Sequence, residues 1–153
     1  MLLDQYVYFA LSSERTTAQE MTALLGILPD ETKVRGSRIV QPAIPVCHQW
    51  RVVCREPGLR VNEQIAQVLE RLRPHTDRIA SLTRRLGAEP GAGRAATLQV
   101  VRYFGEADEP SNDNQPDAER KPNPFGWHLD QEVLDFLAAT GAFLDIDEYD
   151  RTD

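Results

Sequence analysis

The longest regular pattern in the chain is a helical stripe of apolar residues that a proline interrupts. Apolar residues recur at helical spacing over 61–72 and again over 79–86, with Pro74 between the two runs. Such a stripe has to be buried against another layer of structure. A proline inside a helix removes a hydrogen bond and clashes with the preceding turn. The sequence therefore predicts a kinked helix, or two abutting helices, over 61–86, packed against a second layer.

Four stretches rich in β-branched and aromatic residues predict that the second layer is a sheet. They are 6–11, 46–55, 97–104 and 143–149. Within 46–55 one face of the alternating pattern is mostly apolar and is expected to meet the core, with Trp50 largely buried. The residues of that face are Val46, His48, Trp50, Val52 and Cys54.

Two shorter helices complete the predicted elements. Thr17 and Glu20 have the spacing of a capping box and precede a helix that ends at Gly26. A last helix is predicted over 129–140, with Asp130 as its N-cap. The chain is therefore interpreted as a single α+β domain over 1–153. Its sheet has four to five strands, antiparallel or mixed, and its helices lie mainly on one face.

Segment 105–126 differs from the rest of the chain in composition. It is rich in acidic residues and in proline and has few large apolar side chains. Such a segment cannot bury enough apolar surface to order itself. We expect a mobile surface loop inside the domain rather than a domain boundary.

Net charge and hydropathy argue against several classes of protein, namely nucleic-acid-binding, membrane-bound and secreted proteins. Of the 153 residues, 17 are Lys or Arg and 24 are Asp or Glu, so the formal net charge is −7. An acidic chain is a poor candidate for binding nucleic acid or an anionic membrane. No apolar run approaches the roughly 20 residues that span a bilayer, and the first residues do not have the pattern of a signal peptide. These features indicate a cytoplasmic protein.

Four stretches also resemble a known family. They are YVYFAL at the first strand, LLGILPDETKVRG after the first helix, HQWRV at the second strand, and ATGAFLDIDEYD at the end. Together they are similar to the bacterial family catalogued as domain of unknown function 4279, over nearly the whole chain. The resemblance implies a small α+β domain and no established reaction or catalytic residues. For some similar proteins it implies an immunity role beside secreted toxins. The acidic loop at 105–126 is not part of the family pattern.

Three groups of residues are candidates for function. The first is an acidic set on the closing strand: Asp145, Asp147, Glu148 and Asp150. Alternation places Asp145 and Asp147 on one face and Glu148 on the other, and Asp150 is expected to return to the face of Asp145. The pair lacks a third ligand, and Cys47 and Cys54 lack the spacing of a zinc site, so no metal or other cofactor is predicted.

The second group is basic and the third is a candidate catalytic set. Arg71, Arg78 and Arg85 recur every seven residues and are expected to line one side of the long helix. His48 can act as a general base, together with Asp145 and Asp147. No nucleophile elbow, metalloprotease motif or phosphate-binding loop accompanies it.

The leading hypothesis is a non-enzymatic protein-binding domain, most concretely an immunity-type inhibitor of a bacterial toxin. An acidic inhibitor can be steered onto a basic active site and can block it without chemistry. The predicted contact residues are then the acidic set, with the three arginines as the alternative surface. A small hydrolase-like or ligand-binding enzyme using His48, Asp145 and Asp147 is the alternative function. A domain with a partner unrelated to toxins is a third interpretation.

Overall fold

Five strands form one mixed sheet in the computed structural model, which describes residues 2–105 and 123–152. The strands are β1 (Leu2–Ser13), β2 (Glu31–Lys33), β3 (His48–Cys54), β4 (Ala96–Gly105) and β5 (Phe143–Asp150). Their order across the sheet is β2-β3-β1-β4-β5, so β1 is central and β2 and β5 are the edges. All neighbours are antiparallel except β4 and β5. The prediction of an antiparallel or mixed sheet of four to five strands is confirmed.

Four helices lie against one face of this sheet in the described residues. They are α1 (Ala18–Leu25), α2 (Val61–Leu72), α3 (Thr76–Gly87) and α4 (Gln131–Thr140). Apolar residues of all four join one core with the inward side chains of β1, β3 and β4. A short 3-10 turn, Arg73–His75, separates α2 from α3 and contains Pro74. The predicted interruption of the long helix at this proline is confirmed, in the form of two abutting helices.

The predicted helix ends are also confirmed. The Thr17 hydroxyl accepts a hydrogen bond from the Glu20 backbone, and the Glu20 carboxylate accepts one from the Thr17 backbone. Gly26 ends α1 with a φ of 72°, a left-handed conformation that glycine adopts without steric cost. Asp130 caps α4 by accepting a hydrogen bond from the Val133 backbone. Local chemistry therefore sets where these two helices begin.

The strand predicted at 46–55 is correct in its centre and wrong at its start. Trp50 is 0% exposed, as expected, and Val52 and Cys54 are buried beside it. Val46, expected on the same face, is 65% exposed because it lies before β3 begins at His48, so the alternation of the strand does not reach it. The chain between α1 and β3, for which the sequence analysis predicted no strand, contains β2, which pairs with β3.

The two faces of the sheet differ in what covers them. On β1, Val7, Phe9 and Leu11 are fully buried under the helices, whereas Tyr6 and Tyr8 point the other way. No helix of the described residues lies on that second face, which we call the open face. Its main residues, from one edge to the other, are Glu31, Lys33, Arg51, Tyr6, Tyr8, Gln99, Val101, Tyr103, Asp145, Asp147 and Tyr149.

The predicted mobile loop at 105–126 falls mainly outside the described residues, which resume at Asn123. Two buried contacts hold the chain where it resumes. The Asn123 side chain donates a hydrogen bond to the Leu3 carbonyl and accepts one from the Gly58 backbone. Asn123 is thereby held against β1 and against the turn before α2.

Candidate binding surface on the open face of the sheet

Asp145 and Asp147 lie together on the open face, on edge strand β5. The parallel register sets Asp145 beside Gln99 and Asp147 beside Val101. The Gln99 side-chain amide donates a hydrogen bond to Asp147 at 3.2 Å. The Arg94 guanidinium lies 3.5 Å from the Asp145 carboxylate. Both carboxylates are therefore held by neighbouring strands and loops before any partner is bound.

Glu148 faces the helices, as its position in the alternation predicts, and it balances a buried charge. It lies beside Arg102, which is only 6% exposed. The Arg102 guanidinium is 3.2 Å from Glu148 and also donates hydrogen bonds to the Gln5 side chain and the Phe125 carbonyl. Because a buried cation needs a counter-ion and hydrogen-bond partners, Glu148 has a structural role in addition to any contact it makes.

Asp150 does not return to the face of Asp145, contrary to expectation. Its partner in the register is Phe104, and it therefore shares the side of Glu148, two residues earlier. Its carboxylate accepts hydrogen bonds from the Thr152 hydroxyl and backbone. These bonds lower the pKa of Asp150. The strand alternation thus divides the acidic set into two pairs, one on each face.

A layer of stacked arginines and tyrosines covers the centre of the open face. The Arg51 guanidinium lies 4.1 Å from the centre of the Tyr8 ring, and Arg55 lies 4.2 Å from that of Tyr6. Burial raises the pKa of Tyr8, Arg51 opposes this rise, and Asp147 adds to it. The negative charges on β5 therefore affect the ionisation of Tyr8 on the central strand β1.

The same layer continues over β4 and β5. The Tyr103 and Tyr149 rings are stacked with their centres 5.0 Å apart, and the Arg151 guanidinium lies 3.8 Å from the centre of Tyr103. Sequence analysis did not identify this layer. The tyrosines lie in three predicted strands, and Tyr6 and Tyr8 alternate there with core residues, which was the available signal. That their rings meet depends on which strands are neighbours.

The three arginines of the alternative surface do not act as one set. Arg71 forms an ion pair with Asp30 at 2.6 Å. Arg78 donates a hydrogen bond to the Leu25 carbonyl at 3.2 Å. Both contacts hold the chain that follows α1. Arg78 and Arg85 line a shallow cavity of about 320 Å³ between α1 and α3, and Arg71 is not part of it.

Comparison with known proteins identifies a family for the chain. A family model described as a domain of unknown function, DUF4279, matches residues 4–151. The chain belongs to the DUF4279 family. The searches of curated proteins and of solved structures gave no match. The resemblance inferred from the sequence is confirmed at the level of the family, and the family description attaches no reaction to this DUF4279 chain.

The structure does not bring His48 together with the two aspartates. His48 shares the helix side of β3 with Trp50, and its Nδ1 atom accepts a hydrogen bond from the Arg35 backbone at 3.0 Å. Asp145 and Asp147 lie on the other face of β5, three strands away. Three strand spacings correspond to about 14 Å. This set, as it stands, does not form an acid–base pair.

Residues 2–105 and 123–152 contain neither a cluster of metal ligands nor a membrane-spanning helix. No group of three or more His, Cys, Asp or Glu side chains is placed there to hold a metal ion. Cys54 is buried, which raises the pKa of its thiol, and the thiol donates a hydrogen bond to Gln67. In the same ranges no helix has the length and apolar character needed to cross a bilayer.

Proposed function

We propose that this DUF4279 protein is a non-enzymatic protein-binding domain that contacts its partner through the β5 margin of the open face. The observation that carries the proposal is the placement of Asp145 and Asp147. They are neighbours on an edge strand, on the face that no described helix covers, and Gln99 and Arg94 hold them in place. Surface carboxylates arranged in this way favour a basic partner.

The more specific proposal is an immunity-type inhibitor that acts in the cytoplasm on a toxin with a basic active site. The formal net charge of −7 supports it, because a charged protein steers an oppositely charged partner towards itself and accelerates association. An inhibitor of this kind needs only to cover the active site. It requires no catalytic group of its own, in keeping with the separation of His48 from the aspartates.

Pre-ordering favours β5 over a flexible segment as the contact element. A segment that becomes ordered on binding loses conformational entropy, which weakens the net binding free energy. A strand that is already paired in the free protein does not lose this entropy on binding. Asp145 and Asp147 would contact the partner directly. Glu148 and Asp150, which lie on the other side of the strand, would add to its negative potential.

The test is to purify the chain with the product of its neighbouring gene and to measure binding at about 50 and about 500 mM salt. Asp147→Lys should slow association and flatten its salt dependence if the charge lies at the rim, or speed dissociation if it is buried in a pair. Glu70→Lys is the matched control, since it makes the same charge change on an exposed position of α2.

Edge strands also carry charge for another reason, which is to discourage pairing with other sheets. If that is the whole role of the carboxylates, reversing Asp145 and Asp147, which leaves the Glu148–Arg102 contact intact, should leave the affinity unchanged. That result would remove the β5 surface from the proposal. The basic cavity with Arg78 and Arg85 would then be the next surface to test, with an acidic partner.

A further inference from the structure

The open face carries opposite charges on its two sides. Lys33, Arg51 and Arg55 lie towards β2 and β3, where Glu31 is the carboxylate that pairs with the two arginines. Burial lowers the pKa of Lys33, and the neighbouring Arg51 lowers it further, as expected where cations are crowded. The opposite margin carries the carboxylates Asp145 and Asp147, with Arg94 3.5 Å from Asp145 and Arg151 over the Tyr103 ring. A face with this asymmetry can complement itself.

The strand register places the charges of the two sides at matching levels. Tyr8 pairs with Gln99, and Gln99 with Asp145, so the three lie in one row across the sheet. Arg51 reaches the same row, because its guanidinium lies over the Tyr8 ring.

The next row of the open face repeats this arrangement. Tyr6 pairs with Val101, and Val101 with Asp147. The Arg55 guanidinium lies over the Tyr6 ring and so reaches the row of Asp147. Each row therefore has a cation near the β3 side and a carboxylate at the β5 edge.

We propose that a second copy of this chain covers the open face, with Arg51 and Arg55 of each copy against Asp145 and Asp147 of the other. The two-fold axis lies between the facing sheets, runs parallel to the strands and passes over the gap between β1 and β4. Rotation about this axis places β3 of one copy opposite β5 of the other, and each row of residues faces the same row of the second copy. Such an interface is isologous, so each pair of contacts occurs twice. Facing sheets pack about 10 Å apart with strands nearly aligned.

The centre of the face has the composition of an interface. Tyrosine and arginine are the residue types enriched at the energetic centres of protein interfaces, and here they form the stacked layer between the charged margins. Arg55 already contacts Glu31 through one nitrogen, and a guanidinium has five N–H donors, so it can bind a second carboxylate.

The area sets the expected strength of the dimer. An overlap of four strands by about seven residues corresponds to a flat area of about 450 Å² per copy, or about 900 Å² for two copies. This is at the low end for specific interfaces, where complexes are transient. We therefore expect a dimer that dissociates at micromolar concentrations. The inference does not depend on the proposed function, although a basic partner and a second copy would compete for Asp145 and Asp147.

The experiment is sedimentation velocity of the whole chain from about 1 to about 300 μM, at about 50 and about 500 mM salt. The chain should shift from monomer to dimer with concentration and return towards monomer at high salt. Arg55→Asp and Asp147→Arg should each raise the dissociation constant at least about tenfold, since each places like charges together twice. The control Glu70→Lys should leave the constant unchanged.

Mixing the two reversed variants is the decisive step. An equimolar mixture of Arg55→Asp and Asp147→Arg should form a heterodimer, because both inter-chain contacts are then attractive again. Far-UV circular dichroism and melting curves check that each variant alone is folded. A chain that is monomeric at the highest concentration in low salt overturns the inference. So does a dimer that tolerates both reversals, or a mixture that stays monomeric, whatever the test with the neighbouring gene product shows.

Discussion

The two faces of the sheet differ in what their side chains contact: one face packs against the helices and the other, the open face, carries charged and tyrosine side chains. On β3, Trp50 is fully buried against the helices, while the next residue, Arg51, stacks on Tyr8 on the open face. On β5, Glu148 balances buried Arg102, while Asp147 beside it in the chain faces outward. Because successive side chains of a strand point to opposite faces, substitutions of neighbouring residues can separate the requirements of folding from those of binding.

The largest expected effect is on the helix face. Trp50→Ala should lower the free energy of unfolding by about 3–5 kcal/mol, the range for large aromatic truncations in a core. Trp50→Phe is the matched control and should cost much less. It keeps most of the ring, and the indole N–H has no hydrogen-bond partner among the described residues. Chemical denaturation measures both. A Trp50→Ala protein as stable as the parent would show that this face is not the core.

A second comparison uses neighbouring carboxylates of β5. Glu148→Gln should destabilise the protein by about 1–2 kcal/mol, because it leaves the buried Arg102 charge without its counter-ion. Breaking a fully buried pair costs more, but the Glu148 side chain is 50% exposed. Asp147→Asn makes the same chemical change on the open face and should cost less than about 0.5 kcal/mol. Equal losses in the two denaturation curves would contradict the division of roles between the faces.

The smallest expected effect is the pH dependence contributed by the open face. The pKa of Tyr8 is raised above its ordinary value of 10.0, mainly by burial. The unfolded chain therefore loses this proton first as the pH rises. The stability that Tyr8 contributes is complete below pH 10 and is lost as the pH rises through the higher pKa of the folded state. The melting temperature of Tyr8→Phe should fall less steeply above pH 10 than that of the parent. Parallel curves would show that Tyr8 does not contribute in this way.

Local signals in the sequence predicted much of the helix face and little of the open face. The burial of Trp50, the break at Pro74 and the caps of α1 and α4 depend on nearby residues or on simple alternation. The layer of arginines and tyrosines depends instead on β1 lying between β3 and β4, a long-range pairing that no short pattern specifies. The placement of Asp150 was within reach, since alternation alone sets it on the side of Glu148. The mobility of the 105–126 loop stays a prediction.

Carboxylate labelling tests most directly whether the open face is the interaction surface. Carbodiimide modification, read by mass spectrometry, reports how accessible each acidic side chain is. With a rising concentration of the chain, or on addition of the product of the neighbouring gene, Asp145 and Asp147 should become protected from labelling. Glu70 and Asp135, which are exposed on helices α2 and α4, should be labelled as before. Unchanged labelling of Asp145 and Asp147 in both experiments, or protection confined to the helices, would contradict this account.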